Sequence, residues 1–317
     1  MTEYDFEGRV AVVTGAGRGI GAAYARLLAA RGASVVVNDL GGSMAGDGAD
    51  ISPAQQVVDE ITAAGGTAVA NGSDVATAEG GAEIVGAAVE AFGRVDAVLA
   101  NAGIMRWLGL PEADAEYVQS HLDVHLLGSF NVVRAAWPYF LEQRYGRVVT
   151  TTSVGVFGLA ENLAYASAKA GIIGLTRNLA TSGAAHGIKA NVISPNAWTR
   201  MAGNPATSEG AGGTGSPDAG GIAQAMDPAL VAPMAGFLAH EKCPVTGEIF
   251  AAGAGRFSRI FLGATPGYLH TGGEPAIEDV AANLDLVIDE KGYTVPASLG
   301  DFTTSFLAHL APRGEAG

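Results

Sequence analysis

One run of eight residues, Thr14-Gly15-Ala16-Gly17-Arg18-Gly19-Ile20-Gly21, limits what this chain can fold into more than any other. The apolar stretch Val10 to Val13 precedes it. Ile20 to Arg31 follows, with Ile20, Tyr24, Leu27 and Leu28 on one helical face. A strand, a glycine turn and a helix in that order open a βαβ unit. The rhythm then repeats. Strands are predicted at Ser34–Asn38, Thr67–Asn71, Val95–Ala100, Arg147–Thr152, Lys189–Ile193 and Glu248–Ala252. Helices are predicted at Pro53–Ala64, Thr77–Phe92 and Tyr165–His186, with a long one over Asp114–Arg144 broken near Gly128 and Pro138. The expectation is an α/β fold: a doubly wound parallel sheet of about seven strands with right-handed crossovers.

A chain of 317 residues has room for one large domain and an added tail. Residues 1–264 read as the main domain. Residues 265–317 read as a C-terminal helical extension that packs on it or on a neighbouring subunit. Ile277, Val280, Leu284 and Val287 or Ile288 predict one tail helix; Phe302, Phe306, Leu307 and Leu310 predict another. Two further segments break the rhythm. Leu40 to Ser52 is an enlarged loop, and Gly203 to Gly221 is almost free of large apolar residues.

The net charge of −14 disfavours phosphate backbones and anionic membranes, so nucleic-acid and membrane roles are not expected. The single cysteine, Cys243, rules out an internal disulfide and fits a reducing cytoplasm. The acidic start, Met1 to Glu7, has no apolar core of a secretory signal, and the last four residues match no sorting address. No apolar run approaches the ~18 residues of a membrane span. No metal site is expected.

The glycine turn can bring backbone N–H groups and a helix dipole against a pyrophosphate. Gly15, Gly19 and Gly21 permit the turn and the close approach, Ile20 opens the helix, and Arg18 can add positive charge. Asp39 ends the second strand, about 20 residues further on, where a carboxylate accepts both hydroxyls of an adenosine ribose. A 2′-phosphate would meet negative charge there, so the cofactor expected is NAD. Asp74-Val75 can border an adenine, and Asn101-Ala102-Gly103 can wall a nicotinamide ribose. Each of these pairs by itself is also an ordinary turn.

Tyr165 and Lys169 stand four residues apart, on one helical patch. A nearby ammonium and a cationic ring both favour phenolate, which is expected to lower the tyrosine below its ordinary ~10. The phenolate can then take a proton from an alcohol as hydride leaves the same carbon. Lys169 can also hold the nicotinamide ribose.

In this order, Thr-Gly-x-x-x-Gly-x-Gly, Asn-Ala-Gly and Tyr-x-x-x-Lys resemble the short-chain dehydrogenase/reductase family over roughly residues 6 to 260. Asn38 to Gly42, Arg134 to Trp137, Pro195-Asn196-Ala197 with Arg200-Met201, and Gly253-Ala254-Gly255 resemble the hydroxyacyl-CoA dehydrogenase domain of peroxisomal multifunctional enzymes and related bacterial proteins. The resemblance implies a Rossmann-type domain, a nicotinamide cofactor, a Ser-Tyr-Lys core and a homodimer or homotetramer.

Three positions depart from that pattern. Thirteen residues before Tyr165 stands Thr152, with Ser153 next to it, so either hydroxyl can polarise the substrate oxygen. Gly155 and Gly158 match the family spacing and favour Thr152; residue type favours Ser153. A family asparagine on the preceding long helix is His125, which can relay protons or fill a polar niche. Pro195 is followed by Asn196 where the family often has glycine.

Trp107, Phe157, Leu159, Trp198, Met201 and Met226 can line an apolar substrate pocket, though core packing accounts for each as readily. The function expected is hydride transfer between NAD and a bulky secondary alcohol or ketone, such as a hydroxysteroid, a terpenoid or a 3-hydroxyacyl thioester. An NADPH-dependent ketoacyl reductase and a non-catalytic dinucleotide sensor are the alternatives.

Overall fold

Thr14 and Asn101 tie the first strand to the fourth, and the sheet grows outward from that seam. Thr14 Oγ1 accepts hydrogen bonds from the amides of Asn101 and Ala102 at 3.1 Å each. The Asn101 side chain donates to the carbonyls of Thr14 and Gly15 at 3.0 and 3.1 Å. The structure is a computed structural model that describes residues 3–158, 160–199 and 225–310.

Strands β1 (Val10–Thr14), β2 (Ser34–Asn38), β3 (Thr67–Asn71), β4 (Ala97–Ala100), β5 (Gly146–Thr151), β6 (Ile188–Pro195), β7 (Ile249–Gly253) and β8 (Arg256–Ile260) form one sheet in the order β3-β2-β1-β4-β5-β6-β7-β8. Neighbours from β3 to β7 pair in parallel. The order reverses at β1, so the carboxyl ends of β1 and β4 flank a switch point where doubly wound sheets bind ligands.

The eighth strand exceeds the expected seven. Only Ala254 and Gly255 separate it from β7, and both have positive φ, 49° and 75°, as a tight hairpin turn demands. Its side chains are mostly exposed, so no buried apolar run marks it in the sequence.

Helices α1 (Gly19–Ala30), α2 (Ser52–Ala63) and α7 (Ala232–Ala239) cover one sheet face. Tyr24, Leu28, Val57, Ile61 and Leu238 pack there with Val13, Val35 and Val37. Helices α3 (Ala78–Phe92) and α5 (Gly128–Gln143) cover the other, where Ile84, Val132 and Phe140 meet Val12, Val98 and Val148. Strand residues alternate between the two cores because successive side chains point to opposite faces.

The predicted break near Gly128 is a change of helical pitch. Helix α4 (Ala115–His121) runs into a π turn, Leu122–Leu127, and directly into α5. Pro138 lies inside α5 without ending it. Among the described residues no helix is long and apolar enough to cross a membrane.

Contacts divide the chain into two units, Met1–Arg259 and Ile260–Gly317. In the second, the single helix expected at 277–288 is two short ones, Ile277–Ala282 and Leu284–Ile288, separated by Asn283. Leu299–Phe306 starts with a capping box between Ser298 and Asp301. Phe261 stacks on Tyr293 at 5.6 Å.

The seam leaves no room for a side chain at Gly21: a β-carbon there would stand 2.2 Å from the Gly15 carbonyl oxygen and 2.6 Å from Asn101 Nδ2. Gly21→Ala is expected to cost about 3 kcal/mol or more, by analogy with other overpacked sites. Chemical denaturation would show it, and an unchanged midpoint would contradict the crowding.

Candidate active site

The glycine turn is built to receive an anion. Gly15 and Gly19 have φ of 62° and 53°, conformations that side chains rarely adopt. Arg18 stands at the N-cap of α1 in an extended conformation, and no side chain caps the helix. The N–H groups of its first turn therefore lack an intrahelical acceptor and face the turn with the positive end of the dipole.

A cleft of about 340 Å³ opens beside this turn. Most of the residues proposed from sequence to hold a cofactor line it together: Gly15, Arg18, Gly19, Ile20, Asp39, Asp74, Val75, Asn101, Ala102 and Gly103. Asp39 is fixed by two backbone donors, the amide of Gly17 at 2.8 Å and that of Gly41 at 2.7 Å. Gly21 is not a lining residue; it packs beneath the turn. Pro195 ends β6 beside Ala252, also outside the cleft lining.

Sequence reading did not single out Ser73, Ile104, Val124 or Thr199, and it named Asn38 only within the run Asn38 to Gly42; all five also line the cleft. Asn38 is buried and donates to Asn71 Oδ1 and to the Ser73 carbonyl, both at 2.9 Å. It thereby braces the loop that carries Asp74. Its place next to Asp39 at the end of an apolar strand was the available signal.

These features fit a dinucleotide. Free amide donors match a pyrophosphate, a carboxylate at the end of β2 matches a ribose diol, and the crowded glycines allow backbone to approach it.

Tyr165, Lys169 and Ser153 meet at the adjoining end of the sheet. Helix α6 (Leu163–Gly183) carries Tyr165 and Lys169, and Ser153 follows β5. The Lys169 ammonium donates to the Thr151 carbonyl at 2.8 Å and lies 5.7 Å from the Tyr165 ring centre. Ser153 Oγ accepts from the Gly155 amide at 3.1 Å and lies beside the Tyr165 ring, where its hydroxyl favours the phenolate.

Thr152 is turned elsewhere. It is buried, and its hydroxyl donates to the Lys169 backbone carbonyl at 2.7 Å. Of the two hydroxyls left open by the sequence, only Ser153 is brought to the phenol.

Tyr165 and Lys169 do not line the cleft itself. They adjoin it through His125, whose ring meets Tyr165 edge-on at 5.2 Å. The same ring lies so close over Gly103 that a β-carbon there would be 2.4 Å from it. His125 is buried; its Nε2 lies 2.9 Å from the Ile104 carbonyl, and Nδ1 has no partner. The Ile104 amide faces the same nitrogen at 3.3 Å, so the tautomer sets whether Nε2 donates to the carbonyl or accepts from the amide.

The electrostatics differ from the expectation that an ammonium lowers the tyrosine. Burial pushes the Tyr165 phenol above its ordinary value, and the Ser153 hydrogen bond pulls against it. Burial also draws the Lys169 ammonium down to about 7. His125 lies well below the usual imidazole value, first from burial and then from the charge of Lys169. Low dielectric disfavours every charged form here.

Leu159, Met201 and the Gly203–Gly221 loop lie outside the described residues. Leu110 and Phe157 are exposed, and the Trp107 indole N–H is buried without a partner. Among the described residues no group of acidic, histidine or cysteine side chains could hold a metal ion.

Residues 9–208 match the short chain dehydrogenase family, and the chain belongs to it. It is 41% identical over 285 residues to a putative short-chain type dehydrogenase/reductase of Mycobacterium tuberculosis, covering 90% of this chain and 95% of that protein. It is 43% identical over 258 residues to the peroxisomal multifunctional enzyme type 2 of Drosophila melanogaster, covering 81% of this chain but 41% of that one. The crystal structure of a short chain dehydrogenase from Mycobacterium avium superposes with a TM-score of 0.75, with 35% identity over 90% of this chain and 97% of that one. The chain is thus an oxidoreductase of a family that binds a nicotinamide dinucleotide.

The buried Lys169 makes stability depend on pH. Unfolded, a lysine titrates near ~10.4, whereas Lys169 in the folded protein titrates at about 7. Between these values the unfolded chain binds the extra proton, so folding stability rises with pH through that window. Relative to wild type, Lys169→Met is expected to be most stabilised below pH 7, with the difference fading as pH approaches 10. Denaturant titrations at pH 6, 8 and 9.5 measure it, and a gap independent of pH would contradict the burial.

Proposed function

We propose that this protein transfers hydride between NAD and a bulky secondary alcohol or ketone, with Tyr165 as the proton carrier. The meeting of Ser153, Tyr165 and Lys169 beside the dinucleotide cleft carries this reading. When bound, the nicotinamide ring would accept hydride from a carbinol carbon or return it to a carbonyl. Gly15, Gly19 and the first turn of α1 would hold the pyrophosphate. Asp39 would hold the adenosine ribose, and Asp74 and Val75 the adenine.

Ser153 would donate to the substrate oxygen while Tyr165 exchanges its proton with that oxygen. Burial keeps the phenol protonated, which suits the reductive direction. The neighbouring Ser153 hydroxyl pulls the phenol back toward the phenolate that oxidation requires. Thr152 stays behind the site, holding the backbone that carries Lys169.

Leu110, Val154 and Phe157 present exposed apolar surface on the segments after β4 and β5, which favours a hydroxysteroid, terpenoid or 3-hydroxyacyl thioester. Arg18 lines the same cleft as Asp39, so a phosphorylated dinucleotide and a ketoacyl reductase activity form the rival reading. We read the protein as a cytoplasmic homodimer or homotetramer, with residues 265–317 as an extension that packs on the domain or a neighbouring subunit. The lone buried cysteine agrees with a reducing compartment.

A panel of hydroxysteroids, terpenols and 3-hydroxyacyl-CoAs, followed by dinucleotide absorbance, tests the activity. Tyr165→Phe and Ser153→Ala are expected to lower kcat by about 10²-fold or more while dinucleotide binding persists. Thr152→Val is expected to cost about 1 kcal/mol of stability and little kcat. Binding without turnover on any substrate would instead favour a sensor.

Asp39→Ser is expected to reduce the preference for NAD over NADP by about tenfold, the effect of ~1.4 kcal/mol. Equal wild-type kcat/KM with both dinucleotides would overturn the NAD assignment.

A further inference from the structure

Resting on the dinucleotide reading above, we propose that the loop from Leu40 to Asp50 is a strap latched across the cofactor cleft, and that Arg106 is the positioning residue that latches it. The loop leaves β2 and is held by the segment after β4, and β1 lies between those strands. The loop therefore spans the carboxyl end of β1, where the glycine turn begins. Leu40, Gly42, Ser43, Met44 and Gly46 line the same cleft as that turn.

Two bonds form the latch. Arg106 Nε donates to the Ala45 carbonyl at 3.0 Å, and the Met105 amide donates to the Met44 carbonyl at 2.9 Å. Asp47 adds a long ion pair to Arg106 at 3.9 Å, and the Ile104 side chain lies against Gly46. The strap is braced internally. Ser43 Oγ accepts from the amides of Ala45 and Asp47, and the Asp50 amide donates to the Leu40 carbonyl at 2.8 Å. Gly41, at φ 77°, has no space for a β-carbon against the Asp50 backbone.

The anchor for the latch is itself immobilised. Tyr117, His121 and His125 stand four residues apart along α4 and the π turn, their rings in sequential contact at 4.8 and 6.0 Å. Each grips the segment after β4. His125 bonds the Ile104 carbonyl, His121 Nε2 accepts from the Arg106 amide at 3.4 Å, and the Tyr117 hydroxyl donates to the Arg106 carbonyl at 2.9 Å. A backbone pinned at three points holds the guanidinium toward the strap. Dinucleotide release then requires the latch to open.

The test uses the full chain and stopped-flow fluorescence of NADH release. Arg106→Ala is expected to accelerate release about tenfold, the effect of losing one charge-assisted hydrogen bond. In the same variant without nucleotide, hydrogen exchange at the Met105 amide is expected to quicken. Asp47→Asn removes only the exposed ion pair and is expected to raise the release rate about two- to threefold. It serves as the second variant should Arg106→Ala fail to fold. If wild type binds NADH and neither variant changes release or Met105 exchange, the strap is refuted. Failure of wild type to bind NADH at all would refute the dinucleotide reading instead.

Discussion

The fold and the site both depend on one steric constraint: the backbone at Gly15 must pass within contact distance of Gly21 and of Asn101. That approach joins the first βα turn to the end of β4. Without it, the amides of α1 would not face the switch point of the sheet, and the loops after β2 and β4 would not share a cleft. The part-buried hydrogen bonds from Asn101 give the carbonyls of Thr14 and Gly15 donors at the turn, as enclosing a tight turn requires.

The chemistry follows from burial on the neighbouring strand. At the end of β5, Thr150, Thr151 and Thr152 are buried, while Ser153 is the first residue to emerge. Lys169 is held by the Thr151 backbone carbonyl. Burial in that low dielectric lowers the ammonium and raises the phenol. Such a site responds strongly to any charge brought beside it, because little water is present to screen the interaction.

Much of the architecture was legible in the chain. Central strands such as Val10–Thr14 and Ser34–Asn38 are continuous apolar runs, because both faces of a parallel sheet are covered. The exposed strand Arg256–Ile260 carried no such mark and was missed. The π turn was also hidden: Gly128 suggested a break, but the helix continues through it, and the glycine lets Val75 pack closely. Tyr165 and Lys169 were legible from helical spacing, and Asp39 from its place at a strand end.

By itself, the sequence determined the local devices: the glycine turn, the alternation of strands and helices, and the residue types at each strand end. These depend on backbone sterics and on side-chain periodicity, which act over a few residues. Only the tertiary structure shows which of Thr152 and Ser153 faces the phenol, because adjacent residues on extended backbone point to opposite sides and register must be known to tell them apart. It likewise decided that the loop after β2 reaches the loop after β4, since that contact joins positions some 60 residues apart through the ordering of strands rather than through any local preference.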